Sequence, residues 1–243
     1  MIDTATADYF DEHTPVYGEY RFDFALERIR EIAGPETSLC DIGCGVGNIL
    51  ALIRSTTTVK QLCGIDPSEN CLAQAAARAG CETRRGSVLD TAFVEGLGQR
   101  FDVVLLSAVL HHLVGGTRTE SRRNARVAIE NSLKLLRDGG RLFVLERTYS
   151  PAFSPWLVFW VKRIVTRVTT RRIGIFDRWN NIGAPVVSYF TAGKLAALLA
   201  AGEDRRVVEV HVEERGVNWL LRLALITRKS DVTVVVRKIG ASR

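Results

Sequence analysis

Ser38-Leu-Cys-Asp-Ile-Gly-Cys-Gly-Val-Gly-Asn-Ile-Leu50 decides how the chain is read. Residues 37–42 have the composition of a short buried strand. Gly43, Gly45 and Gly47 alternate through a turn, and an apolar helix is expected from about 46 to 54. Strand, glycine turn and helix in that order make a site for a nucleotide-type ligand. Glycine admits positive φ and lets a ligand approach without meeting a Cβ, and the helix start offers N–H groups not used inside the helix.

Outward from this stretch the pattern repeats. Residues 20–33 carry an amphipathic helical pattern stopped by Gly34-Pro35. Residues 61–65 form a second strand ending in Asp66-Pro67-Ser68, and Ser68 caps an alanine-rich helix. A third strand at 81–85 leads into Gly86-Ser-Val-Leu-Asp90, then a short helix over 91–98. Residues 101–106 are apolar at nearly every position, as a parallel strand buried on both faces requires. They run into Ser107-Ala-Val-Leu-His-His-Leu113. A long helix over 119–137 is expected to stop at Asp138-Gly139-Gly140, with a fifth strand over 141–146. Two late strands, 207–214 and 231–237, are read as a closing antiparallel pair; residues 217–227 between them are compatible with helix or strand.

Five strand–helix repeats with short links imply right-handed crossovers. The expected fold is α/β: a doubly wound, Rossmann-like, seven-stranded and mostly parallel sheet, with an antiparallel last strand and helices on both faces. In such a sheet a ligand lies over the carboxyl ends of the strands. Asp41 to Gly47, Asp66, Ser87, Ser107 to His112 and Glu146 all fall at those expected ends.

Composition narrows the class. Apolar residues make up 47% of the 243 positions, enough for one large core, so a single domain over 1–243 is expected. Five early acidic residues and the lack of an apolar run argue against a secretory signal or a spanning helix. The five cysteines lie between 40 and 81 with no Cys-x-x-Cys pair and no nearby histidine. They read as buried thiols in a reducing, cytoplasmic compartment, and no metal site is expected.

The net charge of +6 is concentrated. Residues 151–180 hold six basic residues and one acidic residue. There Trp156, Leu157, Phe159, Trp160, Val161 and Ile164 alternate with cations at helical spacing. The segment 150–190 is therefore an insertion with three readings: a lid whose tryptophans line an acceptor pocket, a helix on an anionic membrane, or an oligomer contact. A nucleic-acid partner is not expected, because one short basic patch comes with no recognised module.

The glycine spacing departs from Gly-x-Gly-x-x-Gly, since the third glycine comes one residue early. Asp66 suits a ribose diol with either a dinucleotide or another nucleoside ligand. Asp41, two residues before the first glycine, would repel a pyrophosphate and suits a ligand carrying an ammonium or sulfonium.

At this point the chain resembles the class I S-adenosylmethionine-dependent methyltransferases that act on small molecules. Five stretches carry the resemblance: 39–48, 64–68, 86–90, 101–113 and 138–146. It implies in-line methyl transfer from S-adenosyl-L-methionine, with Asp41, Gly43, Cys44, Gly45, Gly47, Asp66, Pro67, Ser87, Val88, Asp90 and Ser107 around the cofactor. Where the family often has Asp after the glycine of its third motif, this chain has Ser87, with Asp90 as a substitute. It also implies an N-terminal lid, 1–34, bringing Tyr9, His13 and Tyr17 over the site, with Tyr17 on the cofactor. His111 and His112 become candidates for positioning the acceptor or taking its proton, and Glu146 for contacting it. A transmitted methyl needs alignment, dryness and, for a hydroxyl acceptor, a base. The acceptor is expected to be a bulky apolar or aromatic metabolite of specialised biosynthesis, or a lipid-like molecule at a membrane. A nicotinamide-dependent oxidoreductase and a non-catalytic cofactor-binding protein remain as alternatives.

Overall fold

The computed structural model describes residues 21–168, 186–223 and 225–240. Tyr9, His13 and Tyr17, like residues 169–185 of the insertion, lie outside the described residues.

The elements follow in order: α1 Asp23–Ile32, β1 Ser38–Ile42, α2 Asn48–Thr56, β2 Gln61–Asp66, α3 Glu69–Ala79, β3 Glu82–Arg85, α4 Thr91–Gly96 and β4 Phe101–Ser107. Then come a 3-10 turn Leu110–His112, α5 Arg118–Lys134, β5 Leu136–Ser150, α6 Ser154–Val168, α7 Ala192–Ala200, β6 Arg205–Arg215, α8 Trp219–Leu223 and β7 Arg228–Lys238. They build a seven-stranded sheet in the order β3-β2-β1-β4-β5-β7-β6. β1 to β5 are parallel, and β7 runs antiparallel to both β5 and β6. The chain reverses its direction of travel across the sheet between β1 and β4, which is where such sheets open a ligand crevice.

Both faces of the central strands are covered. Leu39, Val103, Leu105 and Phe143 pack against Ile29 of α1, Leu50 and Ile53 of α2 and Leu72 of α3. Cys40, Ile42, Val104, Leu106 and Val144 pack against Ile129 and Leu133 of α5 and Leu195 and Leu199 of α7. Each large aliphatic side chain so buried contributes about 1.5–3 kcal/mol. The helix starts are fixed by caps: the Ser68 hydroxyl accepts from Cys71 N, and Thr117 with Glu120 forms a capping box on α5.

Three expectations need correction, and one left open is decided. The long helix ends at Lys134, not 137, and Gly139-Gly140 lies inside β5, at the register shift where β4 skips from Phe101 to Val103. Glycine at a bulge and glycine after a helix have the same local chemistry. β5 does not end at Glu146 but continues to Ser150, so Glu146 sits mid-strand opposite Val232 of β7. The helix after the glycine loop starts at Asn48, leaving Val46 in the loop. Residues 217–227 contain the short helix α8. On the edge strand β6, Val208, Val210 and Val212 face outward, while Glu209 and His211 meet Arg28 and Phe24 of α1.

Candidate active site

The glycine loop is folded back onto β2. The Gly43 and Cys44 amides both donate to the Ile65 carbonyl, at 2.7 and 3.2 Å. The Gly45 amide donates to Asp66 Oδ2 at 3.0 Å, and the Ser68 amide to Asp66 Oδ1 at 2.9 Å. Both oxygens of Asp66 are thus anchored by backbone N–H groups. Gly47 has φ +78°, and a Cβ there would stand 2.7 Å from the Ala75 Cα, so it sets the approach of α2 to α3. Gly45 has φ +50°, and a Cβ there would meet nothing within 4 Å.

That open space belongs to a cavity of about 140 Å³. Asp41, Gly43, Cys44, Gly45, Asp66, Pro67, Ser87, Val88, Ser107 and His112 all line it. Four loops, after β1, β2, β3 and β4, therefore converge as the topology requires. Two expected residues are not in its wall. Gly47 is at the helix–helix contact, and Asp90 caps α4, its Oδ1 accepting from Phe93 N at 3.0 Å. Asp90 is thus placed at the start of α4, with one carboxylate oxygen used in the cap. The Ser87 hydroxyl accepts from Leu89 N at 3.2 Å.

Asp41 is buried, and its Oδ1 has no hydrogen-bond partner among the described residues. Burial, reinforced by the charge of Asp66, pushes its carboxyl up to about 8. A buried acceptor left unused costs stability unless a ligand completes it. A cation entering this cavity would do so. The Cys44 thiol is likewise pushed up by burial, which keeps it protonated and inert.

A second cavity of about 600 Å³ adjoins the first, sharing Asn48, Ile49, Ser107 and Ala108 with it. Its wall includes Arg21, Phe22, Leu145, Glu146 and Asp231. Glu146 is fully enclosed by protein. Its Oε1 accepts from Leu110 N at 2.6 Å, and its Oε2 lies 2.5 Å from His111 Nδ1. Burial raises the Glu146 carboxyl to about 7, and the Leu110 N–H pulls the other way. Burial lowers His111 to about 3, helped by the charges of Arg21, Arg147 and Lys162. His112 is lowered well below its usual range, by burial and then by His111. Both imidazoles are therefore neutral near pH 7. His111 lines neither cavity; it stacks on Tyr189 at 5.0 Å and holds Glu146 from behind.

Some residues of the site are not singled out by residue type: Ala108 and Val109 lie within the expected stretch 107–112, and Asp231 lies outside every expected site. Ala108 borders both cavities with φ 58°, a left-handed conformation that alanine rarely adopts. Val109 packs over Gly43, close enough to exclude a Cβ there. Asp231, from the far end of the chain, gathers Arg21, Arg147 and Arg215 within 2.9–3.2 Å at the wall of the second cavity. Such distant pairings have no local spacing to betray them. Trp156 of α6 is 54% exposed, and among the described residues no α6 side chain lines either cavity.

Comparison with known proteins agrees with this architecture. The family model described as a methyltransferase domain matches residues 40–142. A trans-aconitate 2-methyltransferase of Streptomyces avermitilis is 33% identical over 94 residues, which are 37% of this chain and 35% of that protein. The match thus spans about a third of the relative's length. Among solved structures, a SAM-dependent methyltransferase from Anabaena variabilis has a TM-score of 0.66 at 15% identity, covering 98% of this chain and 96% of that one. The N-methyltransferase NodS of Bradyrhizobium japonicum, in complex with S-adenosyl-L-homocysteine, has a TM-score of 0.58 at 17% identity, covering 97% and 100%. At these identities the structures speak for the fold. The domain match runs from within β1, through the glycine loop, into β5, so over this region the chain is similar to methyltransferase domains, and its fold is that of the solved methyltransferases.

Proposed function

We propose that this protein transfers a methyl group from S-adenosyl-L-methionine to a small-molecule acceptor. The observation that carries the reading is the pair of adjoining cavities: one with an anchored Asp66 and an unused Asp41 oxygen, the other with Glu146 in its wall. When bound, the cofactor supplies a sulfonium methyl that is displaced in line, leaving a neutral thioether.

The chain's own residues do the rest. Asp66 would hold the ribose hydroxyls, since its oxygens keep lone pairs beyond the two backbone N–H groups. Asp41 would balance the ligand's positive charge. Ser87 and Val88 border the side where adenine would sit, and the neutral His112 closes the cavity floor. Glu146, titrating close to pH 7, is placed to take a proton from an acceptor in the second cavity, with His111 positioning its carboxylate. Ser107 and Ala108, common to both cavities, stand where donor and acceptor would meet.

The acceptor is proposed as a bulky molecule of specialised metabolism, with an apolar body. Phe22, Ile49, Leu52, Leu145 and Val232 of the second cavity support this. A second reading, an acidic acceptor, is favoured by Arg21, Arg54 and Arg78 in the same wall. One domain covering 1–243, closed by a lid within 1–34, and a cytoplasmic location complete the proposal. The five free, buried cysteines support the location.

Calorimetry with S-adenosylmethionine, S-adenosylhomocysteine and NAD tests the cofactor, and transfer of labelled methyl to apolar and carboxylated acceptors tests the reaction. Binding of both sulfur ligands and transfer to one acceptor class are expected. Binding of NAD alone would overturn the cofactor assignment. Tight cofactor binding without transfer to any acceptor would favour a non-catalytic role.

A further inference from the structure

Helix α6 is turned against the usual pattern. Ser154, Phe159 and Lys162 are buried, whereas Phe153, Trp156, Val161 and Ile164 are 48%, 54%, 48% and 60% exposed. Their spacing places them along one outward stripe. Helix α8 continues it: Trp219 and Leu223 are 69% and 71% exposed, and Leu225 just beyond is 54%. The two elements are joined, since the Ser154 hydroxyl donates to the Leu225 carbonyl at 2.7 Å. Beneath them Val158 and Leu221 share one small core with Tyr149 and Tyr189. A grouping of tryptophans and leucines this exposed marks a contact surface, not scattered surface residues.

Charge says what the contact is. Residues 151–164 and 216–229 contain Lys162, Arg163, Arg222, Arg228 and Lys229, and neither stretch has an Asp or Glu. Arg222 and Arg228 are exposed. A second copy docking through the same face would set these cations against each other. An anionic lipid surface instead offers hydrocarbon to the apolar stripe and phosphates to the arginines, and tryptophan favours that boundary. Among the described residues no helix is long and apolar enough to cross a membrane, so the contact lies on the bilayer, not through it.

We propose that α6 and the α8 segment form a docking face for an anionic lipid bilayer. This stands independently of the methyl-transfer reading. The buried side of α6 carries Lys162, whose charge acts on both His111 and His112. A docked α6 would therefore separate lipid from the histidines by about one helix diameter, roughly 10 Å.

The test is flotation of the full-length protein with vesicles of phosphatidylcholine alone and of phosphatidylcholine mixed with phosphatidylglycerol. Association with the mixed vesicles only, weakened by salt, is expected. W156S/W219S and R222E/R228E should each lower it about tenfold or more, with circular dichroism and cofactor affinity unchanged. The wild type should also show a blue shift of tryptophan emission on mixed vesicles, a readout independent of the variants. Absence of flotation with either vesicle overturns the proposal, as does undiminished binding by W156S/W219S. A concentration-dependent dimer dispersed by W156S/W219S, without vesicle binding, would assign the face to a second copy instead.

Discussion

The Glu146 carboxylate lies 2.5 Å from His111 Nδ1; both side chains are buried, Glu146 in the wall of the second cavity and His111 behind it. The pair works as a unit. Below about pH 7 the carboxyl keeps its proton; above, Glu146 is a carboxylate that accepts from Nδ1–H of a neutral imidazole. If that carboxylate takes the acceptor's proton, kcat/KM rises through about pH 7. Glu146→Gln should lower kcat by about a hundredfold or more and flatten the rise. His111→Gln, which removes only the positioning contact, should cost less and move the midpoint of the profile. A profile with an unchanged midpoint in both variants would remove the pair from catalysis.

The same pair sets opposing stability trends. The raised carboxyl of Glu146 binds its proton more tightly when folded, so its contribution is full below about 4.5 and lost as pH rises through about 7. His111, depressed to about 3, contributes above 6.5 and loses its contribution as pH falls toward 3. Unfolding by denaturant as a function of pH should show Glu146→Gln losing the decline between 4.5 and 7. An unaltered slope in that window would mean Glu146 titrates normally.

Asp41 predicts a proton release. Its carboxyl, held up near 8, must ionise to face a bound cation. Affinity for S-adenosylmethionine should therefore rise with pH and level off above about 8. Calorimetry in buffers of different ionisation enthalpy should detect protons leaving at pH 7, and Asp41→Asn should abolish both the release and the pH dependence. Equal proton release by wild type and Asp41→Asn would place the cation elsewhere.

Asp66→Ala removes a carboxylate that also ties Gly45 to Ser68. Charge-assisted hydrogen bonds are worth about 1.5–3 kcal/mol, so cofactor affinity should fall about tenfold to a hundredfold. Thermal unfolding should shift by only a few degrees. An affinity within twofold of wild type would mean that Asp66 supports the loop and nothing more.

The two loop glycines should fail differently. Gly47→Ala puts a Cβ against the Ala75 backbone at positive φ and should cost about 1–3 kcal/mol of stability. Gly45→Ala shares the strain of a positive φ but meets no atom within 4 Å, so it should cost less stability than Gly47→Ala and act more on cofactor affinity. Thermal melts and titrations of the two variants compare them directly. Equal loss of stability in both would contradict this division.

The parallel half of the sheet is readable in the sequence because strands buried on both faces leave unbroken apolar runs, as at 101–106. The loops over those strands follow from topology, which is why residues from Asp41 to His112 meet at one cavity. What the sequence hides has particular causes. The continuation of β5 through Arg147-Thr-Tyr-Ser150 is polar and depends on β7, far along the chain. Amphipathic spacing in α6 announces two faces without saying which is inside, and burying Lys162 while exposing Trp156 inverts the usual choice. Ala108 adopts its conformation without glycine, so no residue type marks it.

The position of β7 between β5 and β6 has a consequence for how the protein is made. During synthesis β1 to β5 can assemble and close the glycine loop while the rest is still being translated. β6 then emerges with no strand to pair with, and its backbone N–H and C=O groups wait for residues 228–238 to follow. The same late strand brings Asp231 to its three arginines. The strands beneath the chamber assigned to the cofactor thus come early, and the wall assigned to the acceptor closes only once β7 has been made.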